Sequence, residues 1–167
     1  MRLWLLLAIF CATATGCGDR RPAPDPSAAD SGAVPGSAPA ARIGDPTGQW
    51  VVVGDSAPGV SAMDADERRR WHGREARYAP GSASFGADTC ASPRYRTSEL
   101  DADSLLATGF RLAPGALGLA PGAPVTVTEI ACDGADWAAP GAFLLWLGPA
   151  RVYTVWDGVF FVLARRP

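Results

Sequence analysis

The first candidates for chemistry in this chain are its four cysteines: Cys11, Cys17, Cys90 and Cys132. Cys90 and Cys132 lie in the body of the chain, and neither belongs to a Cys-x-x-Cys pair. If the chain is exported, an even pair of this kind predicts a disulfide rather than a metal or redox pair. A disulfide that closes a loop of about 40 residues stabilises a fold by roughly 3–4 kcal/mol.

His72 is the only histidine, so a catalytic triad or a Cys-His pair would have to use it. It stands at the end of a predicted helix, where a histidine interacts favourably with the helix dipole. Asp101 and Asp103 begin like a calcium-binding loop, but the residues after them lack the further oxygen ligand and the glycine that such a loop needs. We therefore predict no catalytic residue, no metal site and no cofactor, although a carboxylate pair of the glycosidase type stays open.

All fifteen basic residues are arginine, and seventeen acids bring the formal net charge to −2. A protein without a strong positive field has no electrostatic footprint for nucleic acid, so no nucleic-acid partner is predicted. Arg68, Arg69 and Arg70 could contact anionic lipid headgroups, each contributing about 1 kcal/mol at such a surface. Because Asp66 and Glu67 directly precede them, a solvated, salt-bridged helix face is the preferred interpretation.

The start of the chain has the pattern of an export signal. Arg2 precedes a mostly apolar run over residues 3–14, which is shorter than the roughly 20 residues of a membrane-spanning helix but fits a signal peptide. Residues 14–17, Ala-Thr-Gly-Cys, resemble the bacterial lipobox. The resemblance implies that residues 1–16 are removed and that Cys17 receives lipid, so that the protein is anchored to a membrane of the bacterial cell envelope.

The residues after the proposed lipid site predict a spacer. Residues 17–42 are rich in Pro, Ala, Ser and Gly and contain one large apolar residue, Val34, so they are expected to be disordered and fairly extended. In the lipoproteins that the protein resembles, aspartate after the lipidated cysteine favours the inner membrane. Gly18 at that position favours the outer membrane, facing the periplasm, although Asp19 follows it. Residues 43–167 are the predicted folded domain.

Short β-branched and aromatic runs, separated by Gly- and Pro-containing turns, dominate residues 43–167. The clearest are residues 151–156 and 159–165, which Asp157-Gly158 joins as a two-residue hairpin. The register that this turn sets leaves both faces of the hairpin apolar, so one face fills a core and a helix is expected to cover the other. We predict a mainly β domain: a small antiparallel β-barrel or bent sheet of about eight strands with one or two short helices.

Two helices are expected among these strands. The first is predicted to begin at Ser61 as its N-cap and to stop at His72, with Gly73 as its C-terminal cap. Its apolar face is thin, which is typical of a surface helix. The second is predicted over residues 101–110, with Asp101 as its N-cap.

The first predicted strand carries Gly48-Gln49-Trp50, which resembles the G-x-W signature of lipocalins. In that family the tryptophan closes one end of the barrel and an arginine near the last strand packs across it. The resemblance implies these closing roles for Trp50 and Arg165, and the hairpin register places Arg165 on the inner face. A helix after the first strand departs from the lipocalin pattern. In size, anchor and cysteine pair the protein also resembles the small envelope lipoproteins that inhibit lysozyme.

Aromatic side chains are the remaining candidates for a binding site. If the barrel is open at one end, Trp146, Tyr153, Trp156 and Phe161 line an apolar pocket; if it is closed, they belong to the core. Trp137, in a loop with Gly and Pro, is expected to be exposed. These patterns favour a non-catalytic binding module for a small apolar ligand or an envelope protein. A lysozyme-inhibitor-like, protein-binding barrel and a carboxylate-based hydrolase are the alternatives.

Overall fold

The structure is a computed structural model that describes residues 42–149 and 151–166. The predicted signal peptide, Cys17 and the spacer up to residue 41 lie outside the described residues. The described part is mainly β, which confirms the predicted fold class, and it contains ten strands and two short α-helices.

The strands are numbered in chain order. They are β1 (Gly48–Ser56), β2 (Glu75–Ala79), β3 (Ser82–Phe85), β4 (Asp88–Ala91), β5 (Pro93–Asp101), β6 (Pro124–Cys132), β7 (Ala135–Asp136), β8 (Phe143–Trp146), β9 (Val152–Trp156) and β10 (Val159–Arg165). The helices are α1 (Ala65–Arg69) and α2 (Ala102–Phe110), and a 3-10 turn covers Pro114–Leu117.

All ten strands belong to one antiparallel sheet that curls into a half-barrel. The order along the sheet is β4-β3-β2-β1-β10-β9-β8-β6-β5, and β7 pairs with the end of β6. The strand count exceeds the eight that were expected because β4 and β7, of four and two residues, are too short to show a strand pattern in the sequence. The two edge strands, β4 and β5, are consecutive in the sequence and are separated only by Ser92.

The hairpin of β9 and β10 has the predicted register, beginning with Trp156 opposite Val159. Asp157 and Gly158 have φ angles of 48° and 78°. Positive φ at both central residues is what a type I′ turn requires, and its twist matches that of the flanking strands. In the sheet, this hairpin lies near the centre, between β1 and β8.

Each face of the curled sheet packs into its own apolar cluster. The inner cluster draws buried side chains from strands all round the curl, among them Trp50, Phe85, Ile130 and Phe161. The outer cluster comes from β6, β8, β9 and β10, and α2 covers it with a fully buried Leu106. The prediction that a helix covers the second apolar face of the hairpin is thus confirmed.

Helix α2 has the predicted bounds and cap, because the Asp101 side chain accepts the backbone N–H of Ser104 at 2.8 Å. The first helix is shorter than predicted. Asp64 rather than Ser61 is its N-cap, and Glu67 completes a capping box by accepting the Asp64 N–H. Ser61 lies before the helix and accepts the N–H of Met63 at 3.0 Å.

Candidate functional site

The predicted disulfide is present. Cys90 and Cys132 are bonded, with their Cα atoms 5.6 Å apart. The bond joins edge strand β4 to the last residue of β6, and Pro93, the first residue of β5, pairs with Cys132. The disulfide therefore closes the corner at which the backbone passes from one edge of the sheet to the other.

The structure brings Trp50 and Arg165 together. The Arg165 guanidinium carbon lies 4.5 Å from the centroid of the Trp50 ring, a cation–π distance. The same guanidinium donates hydrogen bonds to the backbone oxygens of Asp45, at 3.1 Å, and of Thr47. Arg165 thus connects the end of the last strand to the residues just before β1.

Residues 44–47, which we call the lead-in segment, lie across this end of the half-barrel. Besides the two carbonyls that Arg165 binds, Gly44 O accepts the hydroxyls of Thr97 and Thr128, at 3.0 and 3.1 Å. Pro46 O accepts the indole N–H of Trp50 at 2.6 Å. All four consecutive carbonyls of the segment are therefore held by side chains. Sequence analysis missed the two threonines because their partner is distant in the sequence and is a backbone atom.

The predicted aromatic pocket does not exist as a single site. Trp146 and Phe161 are buried in the inner cluster, and Trp156 packs against it. Tyr153 lies on the opposite face of the sheet, in the outer cluster. The expectation that these four residues line one cavity is therefore wrong, since alternate residues of a strand point to opposite faces.

The interior of the half-barrel is filled by its own aromatic side chains. Trp71, which follows α1, stacks on Phe161 with ring centroids 4.4 Å apart and an interplanar angle of 8°. Trp50 meets Trp146 edge-on at 5.8 Å. Trp137 is 8% exposed and belongs to the same cluster, so the expectation that it is exposed is also wrong. A ligand inside the curl would have to displace this core.

A cavity of about 740 Å³, which we call the loop–helix groove, lies at the other end of the described domain. Its walls are the loop after β1 and the end of α2, and its floor includes aromatic side chains. It is lined by Pro58, Gly59, Val60, Thr108, Gly109, Phe110, Arg111, Leu112, Gly158 and Phe160. Since β1 spans nine residues, the groove and the lead-in segment are separated by roughly 25–30 Å of strand.

The loop wall of the groove is fixed to the turn between β9 and β10. The N–H of Ala62 donates to Asp157 O at 3.3 Å. A Cβ atom on Gly158 would overlap the carbonyl oxygen of Val60, so this turn has room for the loop only because residue 158 is glycine. Val60 itself is 97% exposed, the most exposed large apolar residue of the described part.

Arg111 is the only charged residue that lines the loop–helix groove. It is the C-cap of α2 with a left-handed φ of 56°, and its N–H donates to Ala107 O at 3.2 Å. Within residues 42–149 and 151–166, its side chain makes no ion pair. The groove thus combines apolar side chains, polar groups and one positive charge.

A second groove, of about 390 Å³, lies on the outer face of β5 and β6. Its charged lining residues are Arg94, Arg96, Glu129 and Asp136. Arg96 and Glu129 approach each other to 4.0 Å, and both are largely exposed. Two bases and two acids balance one another here, so this groove favours no particular charge on a ligand.

His72 takes part in a small ionic cluster. The Asp55 carboxylate is 2.8 Å from His72 Nε2 through one oxygen and 2.8 Å from Arg68 Nε through the other. Arg68 thus pairs with a residue of β1 rather than with an acid of its own helix, while Arg69 pairs with Asp66. The cluster ties the α1 region to the sheet.

The described residues contain no buried carboxylate, and apart from tyrosine and tryptophan their buried polar side chains are two threonines, Thr128 and Thr154. In the same part of the protein no group of three His, Cys, Asp or Glu side chains could hold a metal ion. Tyr78 is buried and donates to Gly141 O at 3.0 Å, and burial raises the pKa of its phenol far above the ordinary value. That phenol is a structural hydrogen-bond donor at neutral pH.

Comparison with known proteins gives no match to any family model, curated protein or solved structure. Within the described residues, no helix has the length and hydrophobicity to cross a membrane. Because no relative assigns a role to any residue, the function of the two grooves is inferred from their lining residues alone.

Proposed function

We propose that this protein is a lipid-anchored component of the bacterial cell envelope whose folded domain binds a protein partner in the loop–helix groove and catalyses no reaction. The proposal depends on one observation above all: the interior is occupied by packed aromatics, whereas the groove is open and has an exposed apolar residue, Val60, on its wall. The export signal and the lipobox-like residues 14–17 support the anchor.

The groove favours a polypeptide over a small ligand. Small-molecule sites enclose most of the ligand surface, whereas the loop–helix groove is only partly enclosed. Exposed apolar residues at such a surface are typical of protein-binding sites. A hydrolase would need a pair of carboxylates in a cleft, and the groove contains none, so we do not propose that alternative.

The geometry also suits a tethered protein. The backbone enters the fold at the lead-in segment, at one end of β1, and the groove lies beyond the other end. A partner in the groove therefore contacts the domain on the side away from the point where the spacer joins it.

The anchor is tested by Cys17→Ser in the full-length protein. We expect the variant to stay unlipidated and to move from the membrane fraction to the soluble periplasmic fraction. Cys11→Ser, a matched change inside the predicted signal peptide, should leave the protein in the membrane fraction. If Cys17→Ser remains in the membrane fraction, the lipid anchor is excluded.

The groove is tested by placing a photo-crosslinking amino acid at Val60 in cells. We expect a discrete adduct from position 60 and none from Val53, an exposed apolar residue of β1 outside the groove. Gly109→Trp should abolish the adduct, because a Cβ at Gly109 meets nothing within 4 Å and a large side chain there enters the groove. An adduct that persists in Gly109→Trp would show that the groove is not the binding site.

A further inference from the structure

We infer that the segment bound in the loop–helix groove is a polypeptide that carries a large apolar side chain beside a carboxylate. The inference rests on the proposed function, since it assumes that this groove is the binding site. The apolar side chain lies on the aromatic floor of the groove, and the carboxylate binds the Arg111 guanidinium.

The floor of the groove is built for an apolar side chain. Phe110 and Phe160 meet edge-on, with centroids 5.2 Å apart, and Leu112 lies beside them, half-buried. Phe160 is itself buried, so the apolar surface that the floor offers to a ligand is that of Phe110 and Leu112, which are partly exposed. Val60, almost fully exposed on the loop wall, is the apolar residue that a bound side chain would cover.

The single charge at the groove defines the second part of the ligand. Arg111 is held in place by its backbone, since its N–H caps α2. An arginine presents a planar set of donors that matches a carboxylate in a bidentate arrangement. No acid lines the groove to compete for it. Charge complementarity therefore points to an aspartate, a glutamate or a terminal carboxylate next to the apolar residue.

The test uses the full-length protein with Cys17→Ser, secreted without lipid, and a phage-displayed library of random dodecapeptides. We expect enrichment of peptides with a large apolar residue within two positions of an acid or of the terminal carboxylate. Their affinity, measured by fluorescence anisotropy, should fall at least about tenfold in Arg111→Asn, since a hydrogen bond to a charged group is worth that much or more. Asparagine is chosen because it tolerates the left-handed backbone at position 111.

Two controls isolate the charge. Arg96→Asn, which removes an exposed arginine of β5, should leave the affinity unchanged. A peptide in which the acid is replaced by its amide should bind the parent protein about as weakly as the acidic peptide binds Arg111→Asn, and it should not lose further affinity in that variant.

The possible failures are distinguishable. Enriched peptides that are lost in Gly109→Trp but carry no acid, or that ignore Arg111→Asn, overturn this inference and leave the proposed function standing. If palmitate binds to the groove and no peptide is enriched, the groove binds a fatty acid and the inference of a polypeptide ligand is wrong. Enriched peptides that bind Gly109→Trp as well as the parent protein contradict the groove as a binding site, and with it both proposals.

Discussion

Arg165 shows how one side chain can connect distant parts of a small fold. It covers the ring of Trp50 and donates to the carbonyls of Asp45 and Thr47. Because these contacts tie β10 to the lead-in segment, the residue contributes more to stability than its exposure suggests. The contact with Trp50 depends on the register of β1 and β10, which pairs Trp50 with Arg165.

Replacing Arg165 by glutamine is expected to destabilise the protein by about 2 kcal/mol, because charged hydrogen bonds and a cation–π contact are lost together. Urea unfolding followed by tryptophan fluorescence measures the change. Arg166→Gln is the matched control: its ion pair with Glu75 lies on the surface, and its loss should cost at most about 1 kcal/mol. If both variants lose the same free energy of unfolding, Arg165 does not have the connecting role described above.

The positions of single residues were predicted correctly where they depend on neighbours in the sequence, and incorrectly or not at all where they depend on distant residues. The hairpin turn placed Arg165 on the inner face, since a two-residue loop determines which residues are opposite each other. The same alternation puts Tyr153 and Trp156 on different faces, so the prediction that they share one pocket was wrong. The roles of Thr97 and Thr128 depend on Gly44, a contact that no local pattern reveals.

At the scale of elements, the start of α2 depends on one side chain, that of Asp101. A hydrogen bond from the Ser104 N–H to the Asp101 carboxylate lowers the pKa of Asp101 below its ordinary value of 3.8. A carboxyl with a lowered pKa in the fold stabilises it above the unfolded pKa, and that stabilisation is lost as the pH falls towards the folded pKa.

We therefore expect Asp101→Asn to match the parent protein in melting temperature at pH 7, because asparagine caps helices as well as aspartate does. Below about pH 4 the parent protein should lose stability more steeply than the variant. Circular dichroism melts between about pH 2.5 and 7 make the comparison. Asp101→Ala, which has no capping side chain, should melt at a lower temperature than the parent protein at both ends of that range. If the melting temperatures of the parent protein and Asp101→Asn change in parallel with pH, ionisation of Asp101 does not contribute to stability.

The helices show which elements the sequence could specify. For α2 the predicted cap, Asp101, is the cap in the structure. Before α1, Ser61 and Asp64 both qualify as caps, and only the full capping box with Glu67 decides between them. The helix also ends early, because the N–H of Gly73 donates to Val52 O and so joins the backbone after α1 to β1.

For the whole molecule, the disulfide is the link with the largest expected effect. It joins residues 42 positions apart and closes the corner between β4, β5 and β6. In the chain-entropy model such a loop is worth roughly 3–4 kcal/mol. The double variant Cys90→Ala/Cys132→Ala should accordingly melt about 10–20 °C lower than the parent protein.

Differential scanning calorimetry with and without reductant checks this expectation. Reductant should lower the melting temperature of the parent protein towards that of the double variant and should leave the double variant unchanged. Hydrogen exchange in the double variant should rise in β4 before it rises in the central β9–β10 hairpin, since an edge strand has a partner on one side only. A double variant that melts with the parent protein would show that the corner is held by other contacts.

The fold class and the two apolar faces could be predicted because strand alternation and turn chemistry are local. The loop–helix groove could not. Its walls come from residues 58–60 and from the end of α2, and they meet only after the sheet has curled. Neither segment has a sequence pattern that is typical of a binding surface. The sequence also does not show that the residues around Arg111 in the groove are uncharged.

The four held carbonyls of residues 44–47 have a mechanical consequence. Any load applied through the residues before Arg42 enters the fold at this segment. Its donors come from β1, β5, β6 and β10, so a pull is divided among four strands before it reaches the ladder of β1. Because β1 is bonded on both sides, to β2 and β10, tension along it shears many bonds at once instead of peeling them one by one. The lead-in end of the domain is thus held against a pull by several strands at once.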